Sequence, residues 1–279
     1  MADNTLINGK ATTEISCLDR GLQYGDGVFE TIAVDNGKLL CWDEHIERLN
    51  SGCERLNIPL QNSETLKNEA LSLINPLIRF DEKGVIKIII TRGQGGRGYA
   101  IPEHAEPSRI ISLYPFPNYP EDNSNGVAVR ICNYRYAHNE TLSGIKHMNR
   151  LEQVMARSEW NNTDIAEGIV LDKESNVIEG TMSNIFCVIN NILLTPKLNL
   201  CGVEGVIRNK ILKLASTLDI NTEIKTVSLD ELKNAGEIFI CNSVIGLWPV
   251  IKLEQQTFSV GKLTKQIKQA LLETNSIPS

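Results

Sequence analysis

Lys146 lies in "GIKHMNR", after a glycine and an isoleucine and just ahead of the apolar-rich stretch "LEQVMARSEW". An amine held partly out of water there has its pKa lowered by burial, the property that Schiff-base chemistry requires. A solvated charge is the ordinary state of a lysine, so Lys146 needs supporting context. Glu179, in "VIEGTMSNIF", follows the turn "DKESNV" and leads into another apolar strand. A carboxylate there either pairs with a protonated pyridine nitrogen or simply occupies a surface turn. In "GVEGVIRNK", residues 202 to 210, small residues precede a helix. The amides of Val206 and Ile207, with the helix dipole behind them, suit a phosphate, and a plain αβ connection reads the same.

A fourth stretch, "RGQGGRGYAIP" at 92 to 102, places Gly93, Gly95 and Gly98 in the G-x-G-x-x-G spacing of dinucleotide-binding loops. That device works only when the last glycine opens a helix whose amides hold the pyrophosphate. Pro102, Pro107 and the strand-like "RIISLYPF" leave no room for one. The loop must serve something other than a dinucleotide, and its two arginines, Arg92 and Arg97, with Tyr99, are its chemical content.

The remaining composition narrows the class. A net charge of -6 with both signs interspersed excludes a nucleic-acid footprint, and no apolar run reaches the length of a membrane span. Small molecules are the expected partners. The seven scattered cysteines, with no C-x-x-C pair, suggest reduced thiols in a cytoplasmic protein. The four histidines (45, 104, 138, 147) show no ligand spacing, so no metal is expected.

The elements that must position these residues follow from periodicity. "VFETIAV" and "KLLCW" flank the turn Asp35-Asn36-Gly37, and a helix starting near Asp43 repeats apolar residues at Ile46, Leu49 and Leu56. A second helix runs from near Ser63 to about Phe80. "VIKIIITR" and "RIISLYPF" form two strands joined by the glycine loop. The turn-forming segment 117–126, "PNYPEDNSNG", reads as a linker between a smaller N-terminal domain (1–116) and a larger C-terminal one (127–279) that carries the lysine. Beyond it come the strand "VAVRICNY", the helix "LEQVMARSEW", a run of strands and turns, and helices opening at 206, 228 and 262. Hairpins mixed with separate helices indicate an α+β or mixed α/β architecture, not a doubly wound parallel sheet.

"YGDGVFE", "HIERL", "GIKHMNRLEQV", "EGTMSNIF", "GVEGVIRNK" and "ICNSVIGLWPV" occur in the order found in fold-type IV pyridoxal-phosphate enzymes. The chain resembles that family along nearly its whole length. Branched-chain and D-amino-acid aminotransferases belong to it, and so do the aminodeoxychorismate lyases, whose pattern "RGQGGRGY" and "SGIKHMNRLEQV" resemble most. The resemblance implies a two-domain, homodimeric enzyme with pyridoxal 5'-phosphate as cofactor. It also implies a lyase that converts 4-amino-4-deoxychorismate into 4-aminobenzoate and pyruvate for folate synthesis, with a D-amino-acid or branched-chain aminotransferase as the alternative. It gives Lys146 the covalent hold on the cofactor and the proton transfer, and Glu179 the ring nitrogen. Arg48 would bind the phosphate through its planar fork, with Val206, Ile207 and Ser243 completing the cup. Ser243 stands where the aminotransferases have threonine. Arg97, Tyr99 and Arg92 would face the substrate, with Arg97 and Arg92 as carboxylate anchors, and Thr31 would assist proton delivery. Glu30 stands where the lyase pattern often has threonine, which puts the proton path beside Thr31 in question.

Overall fold

In the computed structural model, which describes residues 4–77 and 83–279, the chain divides into two units. The first comprises Met1–Pro117, Ile145–Asn149 and Pro278, and the second the remainder. In the first unit the elements are β1 (Thr5–Ile7), β2 (Lys10–Ala11), α1 (Arg20–Tyr24), β3 (Gly27–Asp35), β4 (Lys38–Leu39), α2 (Trp42–Arg55), α3 (Ser63–Leu77), β5 (Gly84–Thr91) and β6 (Ser108–Pro115). The strands form a six-stranded antiparallel sheet in the order β2-β1-β6-β5-β3-β4. Period-two patterning decides its faces. Val28, Ile32 and Val34 of β3 and Ile86, Ile88 and Ile90 of β5 point to one side. There they pack with Trp42, Ile46, Leu49 and Cys53 of α2 and Leu66, Ala70, Leu73 and Ile74 of α3. Each Val, Leu or Ile side chain among them, taken fully from water, contributes about 1.5–3 kcal/mol. The opposite face of β3 carries Phe29 and Thr31, both half-buried.

The hairpin turn has Asn36 and Gly37 at φ 50° and 71°, the positive pair that a two-residue turn needs to match strand twist. "KLLCW" is not a full strand: β4 stops at Leu39, and Cys41 turns left-handed at φ 49° so that Trp42 can open α2 inside the core. The expected end of the second helix, at Phe80, lies outside the described residues.

The second unit contains β7 (Val127–Tyr136), α4 (Leu151–Arg157), β8 (Ile165–Asp172), β9 (Asn176–Gly180), β10 (Asn184–Ile189), β11 (Ile192–Pro196), α5 (Val206–Thr217), β12 (Thr222–Lys225), β13 (Val227–Ser228), α6 (Leu229–Lys233), β14 (Glu237–Asn242), β15 (Gly246–Leu253), β16 (Gln256–Thr257) and α7 (Lys262–Glu273). Its ten-stranded sheet runs β12-β11-β10-β14-β15-β7-β8-β9-β13, with β16 on β15. The sheet is mixed: β11 with β12, β15 with β7, and β7 with β8 are parallel. The α6 start is fixed by a capping box between Ser228 and Glu231.

One expectation about organisation is corrected. The lysine segment, Ile145–Asn149, groups with the first unit and not with the C-terminal one. β4 pairs only Val34 and Asp35, so the N-terminal half of β3 has an edge to fill. Residues 145–149 fill it: Phe29 N–H donates to the Lys146 carbonyl at 3.0 Å, Met148 N–H donates to the Gly27 carbonyl at 2.9 Å, and Ile145 joins the first unit's core. Backbone groups that would otherwise lack partners recruit the segment.

Candidate active site

Lys146 is held by the backbone of β3, and its Nζ lies 4.4 Å from the centroid of the Phe29 ring. Lys87 Nζ approaches the same ring at 5.5 Å, and Lys87 pairs across the sheet with Thr31. Both ammonium groups thus lie within cation–π reach of the Phe29 ring. Thr31, two residues along the strand from Phe29, is on the same face, roughly 7 Å away by strand rise. Sequence reasoning passed over Phe29 and Lys87. Alternation in "VFET" and "VIKIII" carried the signal that they share a side.

Glu30 points the other way, toward α2. Fully buried, it accepts from His45 Nδ1 at 2.6 Å and from Arg48 Nε and Nη2 at 2.7 and 2.6 Å. Burial pushes its carboxyl up, but the charges of Arg48 and His45 and their hydrogen bonds outweigh this and hold it at about 2. For His45 burial also dominates, lowering the imidazole against the pull of Glu30, with the Arg48 and Lys146 charges adding to the fall. With Glu30 ionised, its carboxylate can only accept, so His45 Nδ1–H donates to it. Since Glu30 and Thr31 occupy opposite faces, the glutamate does not stand in a proton path beside Thr31. Arg48 meets Glu30 in a side-on pair through Nε and Nη2.

In the glycine loop no helix follows Gly98, which removes the dinucleotide reading. Gly93 is needed where it stands: φ is +83°, and a Cβ there would lie 1.8 Å from the Glu106 carbonyl oxygen. Arg92 is 3% exposed and donates to both Asp26 oxygens (2.7 and 2.9 Å) and to the carbonyls of Asn57 and Leu56 (2.7 Å each). Its guanidinium thus clamps partners in its own unit. Arg97 and Tyr99 are exposed.

In the second unit Glu179, 4% exposed at the end of β9, accepts at Oε2 from Val203 N–H (2.9 Å) and Asn184 Nδ2 (3.3 Å). Asn184 Nδ2 also donates to the Val203 carbonyl at 2.9 Å, so one carboxamide joins the carboxylate to the chain leading into α5. Asn184 stands inside a stretch singled out by sequence, yet its bridging role is invisible there because Val203 is 19 residues away. Gly202, at φ +89°, lets that chain approach: a Cβ would be 3.4 Å from Glu179 Cδ and 2.8 Å from Leu198 Cδ2. Gly144 is tied to the same segment, donating to the Gly202 carbonyl (2.9 Å) and accepting from Glu204 N–H (3.1 Å). It precedes Lys146 by two residues in the chain.

α5 opens at Val206 with Gly205 as N-cap, no side-chain cap and no acidic residue in its first turn. The amides of Val206 and Ile207 therefore keep the unneutralised positive end of the dipole. A Cβ at Gly205 would fall 1.9 Å from Asn184 Oδ1, so only glycine allows this approach. Ser243 sits in the turn between β14 and β15, half-buried, and Asn242 fixes that turn by accepting from Val244 and Ile245 N–H and donating to the Met182 carbonyl. The Met182 turn is held from the other side by Glu167. This fully buried carboxylate accepts from the amides of Gly168, Thr181 and Met182 and the hydroxyls of Thr181 and Ser183. Burial raises the Glu167 carboxyl in spite of these donors.

The second unit offers a buried carboxylate and the amides of Val206 and Ile207 at the start of α5, and the first offers a lysine amine beside an aromatic ring. These are the groups a phosphorylated pyridine aldehyde needs, and in that respect the residues fit it. Comparison with known proteins agrees. The family model for amino-transferase class IV matches residues 27–253. An aminodeoxychorismate lyase of Vibrio harveyi is 36% identical over 267 residues, covering 94% of this chain and 97% of its own length. A D-alanine aminotransferase of Bacillus licheniformis is 32% identical, covering 98% of this chain and 97% of its own length. The crystal structure of 4-amino-4-deoxychorismate lyase from Pseudomonas aeruginosa superposes with a TM-score of 0.92 at 42% identity, covering 98% of this chain and 100% of that one. On this match across most of its length, the chain belongs to the class IV amino-transferase family.

Proposed function

We propose that the protein is a pyridoxal-phosphate-dependent lyase that converts 4-amino-4-deoxychorismate into 4-aminobenzoate and pyruvate, a step of folate precursor synthesis. The observation that carries this reading is the identity to lyases, 36% and 42%, over nearly the whole chain. The cofactor of the family is pyridoxal 5'-phosphate, which when bound accepts the electron pair released at the substrate carbon. Lys146 would hold it covalently, and its freed amine would take the proton from the amine-bearing ring carbon of the substrate. Glu179, its orientation set by Val203 and Asn184, would keep the ring nitrogen protonated. The amides of Val206 and Ile207, the Ser243 hydroxyl and Arg48 would hold the phosphate.

The ether C–O bond to the enolpyruvyl group breaks as the ring becomes aromatic. The leaving group gains one proton on its methylene carbon and becomes pyruvate, and Thr31 assists that delivery from the face it shares with Lys146. The product atoms together equal the substrate, so no water or second substrate is consumed. Arg97 and Tyr99 grip substrate carboxylate. Incubation with 4-amino-4-deoxychorismate is expected to yield 4-aminobenzoate and pyruvate in equal amounts, and absence of both would exclude the lyase. D-Alanine with 2-oxoglutarate tests the aminotransferase reading that the 32% relative supports, since only that activity makes the new keto acid.

The same reading makes the protein a cytoplasmic homodimer. Five cysteines (53, 132, 187, 201 and 241) are buried as free thiols, in keeping with a reducing compartment. Leu151, Val154 and Met155 form an exposed apolar stripe on α4 at 77%, 58% and 54% exposure, a face for a second copy to cover. Sedimentation equilibrium is expected to give twice the chain mass of 31.0 kDa, and Val154→Glu to shift it toward one.

A further inference from the structure

The segment carrying Arg97 and Tyr99 has no regular secondary structure, yet α1 grips it at several points. Asp19, the N-cap of α1, accepts from Gly21 N–H (2.8 Å), Thr91 Oγ1 (2.9 Å) and Ser108 Oγ (2.8 Å), which staples the helix to the ends of both strands that the loop connects. Arg20 N–H donates to the Gly93 carbonyl at 2.9 Å. The Arg20 side chain, buried at 3% exposure, donates from Nε to Asp26 (2.9 Å) and from Nη1 to the Gly98 carbonyl (3.0 Å), with Nη2 at 3.5 Å from the Tyr99 carbonyl. Asp26 is shared with Arg92, so both ends of the clamp rest on one carboxylate.

Tyr24 adds a second hold. Its hydroxyl accepts from Gly98 N–H at 3.3 Å, and its ring meets the Tyr99 ring edge-on at 5.5 Å. The Arg20 guanidinium lies 4.9 Å over the Tyr24 ring, so the two residues brace one another. The fit excludes side chains: a Cβ on Gly95 would fall 2.8 Å from Arg20 Cδ and 2.9 Å from Pro102 Cγ. The bonds to Gly98 and Tyr99 reach the backbone immediately after Arg97, and the Arg97 side chain itself is exposed.

We propose that Arg20 and Tyr24 are positioning residues that hold the 97–99 segment in a substrate-ready shape, so that an anionic substrate meets an already ordered arginine. The proposal rests on the reading that Arg97 and Tyr99 grip the substrate carboxylate. A loop ordered in advance spares the binding step the cost of ordering it, so the latch acts on affinity and leaves the proton transfer at Lys146 alone.

The test uses the full-length, cofactor-loaded protein with Arg20→Lys and Tyr24→Ala. Lysine keeps the charge on Asp26 but cannot span two carbonyls, and Tyr24 is half-buried, so its truncation spares the core. Hydrogen exchange of the peptide covering 94–101 and steady-state kinetics with 4-amino-4-deoxychorismate are measured together. Exchange is expected to quicken about tenfold and KM to rise about tenfold, with kcat within about twofold. Unchanged exchange in both variants overturns the latch itself. Faster exchange with unchanged KM overturns the proposal through the substrate reading beneath it, since the loop would then move without consequence for binding.

Discussion

Lys146→Ala is expected to lower kcat for 4-aminobenzoate formation by about 10⁴-fold or more, because one side chain supplies both the covalent hold and the proton transfer. That loss corresponds to at least about 5.5 kcal/mol of barrier. The fold should tolerate it. Residues 146 to 148 are held to β3 by backbone groups, and the Lys146 ammonium lies over the Phe29 ring, a cation–π interaction of about 0.5–1 kcal/mol. Single-turnover kinetics beside a thermal midpoint separates the two effects. A variant that keeps its midpoint and loses turnover supports the assignment, and one that retains a tenth of the wild-type rate refutes it.

Glu30→Gln should carry the largest cost in stability among the residues of the site. The carboxylate is fully buried and balances the Arg48 charge while accepting from His45. Removing its charge leaves a guanidinium at 15% exposure facing a neutral amide. Loss of one partner from a buried pair costs about 3–5 kcal/mol, and the partial exposure of Arg48 argues for the lower end. Denaturant titration measures it.

The pH dependence has a definite sign. Glu30 falls from an ordinary 4.5 to about 2, so its contribution is full above pH 4.5 and is lost as the pH drops toward 2. His45, its pKa lowered by burial, acts in the same direction: below its ordinary 6.5 the unfolded chain gains a proton that the folded one resists. Wild-type stability should therefore begin to decline below about pH 6.5 and fall further below 4.5. In Glu30→Gln the lower portion of that decline should flatten.

What could be read from the sequence was local. Lys146, Glu179 and the α5 amides each lie in a short stretch whose turn and helix signals are complete within about ten residues. The absence of a helix after Gly98 was legible for the same reason. Arg92 was not. Its partners Asp26, Leu56 and Asn57 lie 66, 36 and 35 residues away, and nothing in "TRGQ" distinguishes a buried clamp from an exposed anchor. Arg48 and Glu30 lie 18 residues apart, and only the alternation of β3 and the pitch of α2 together make them meet. The placement of Lys146 also depended on pairing: the segment follows the linker in sequence but packs on the edge that β4 leaves open. The Arg20 clamp spans 78 residues, so neither of the stretches it joins carries its signal alone.

Borohydride reduction of the cofactor-loaded protein, followed by proteolysis and mapping of the peptide that carries the reduced pyridoxyl group, tests the assignment of the amine most directly. The reduced group is expected on Lys146, within the peptide that contains "GIKHM". Recovery of the label on another lysine, or no label on a protein that turns over substrate, would contradict it.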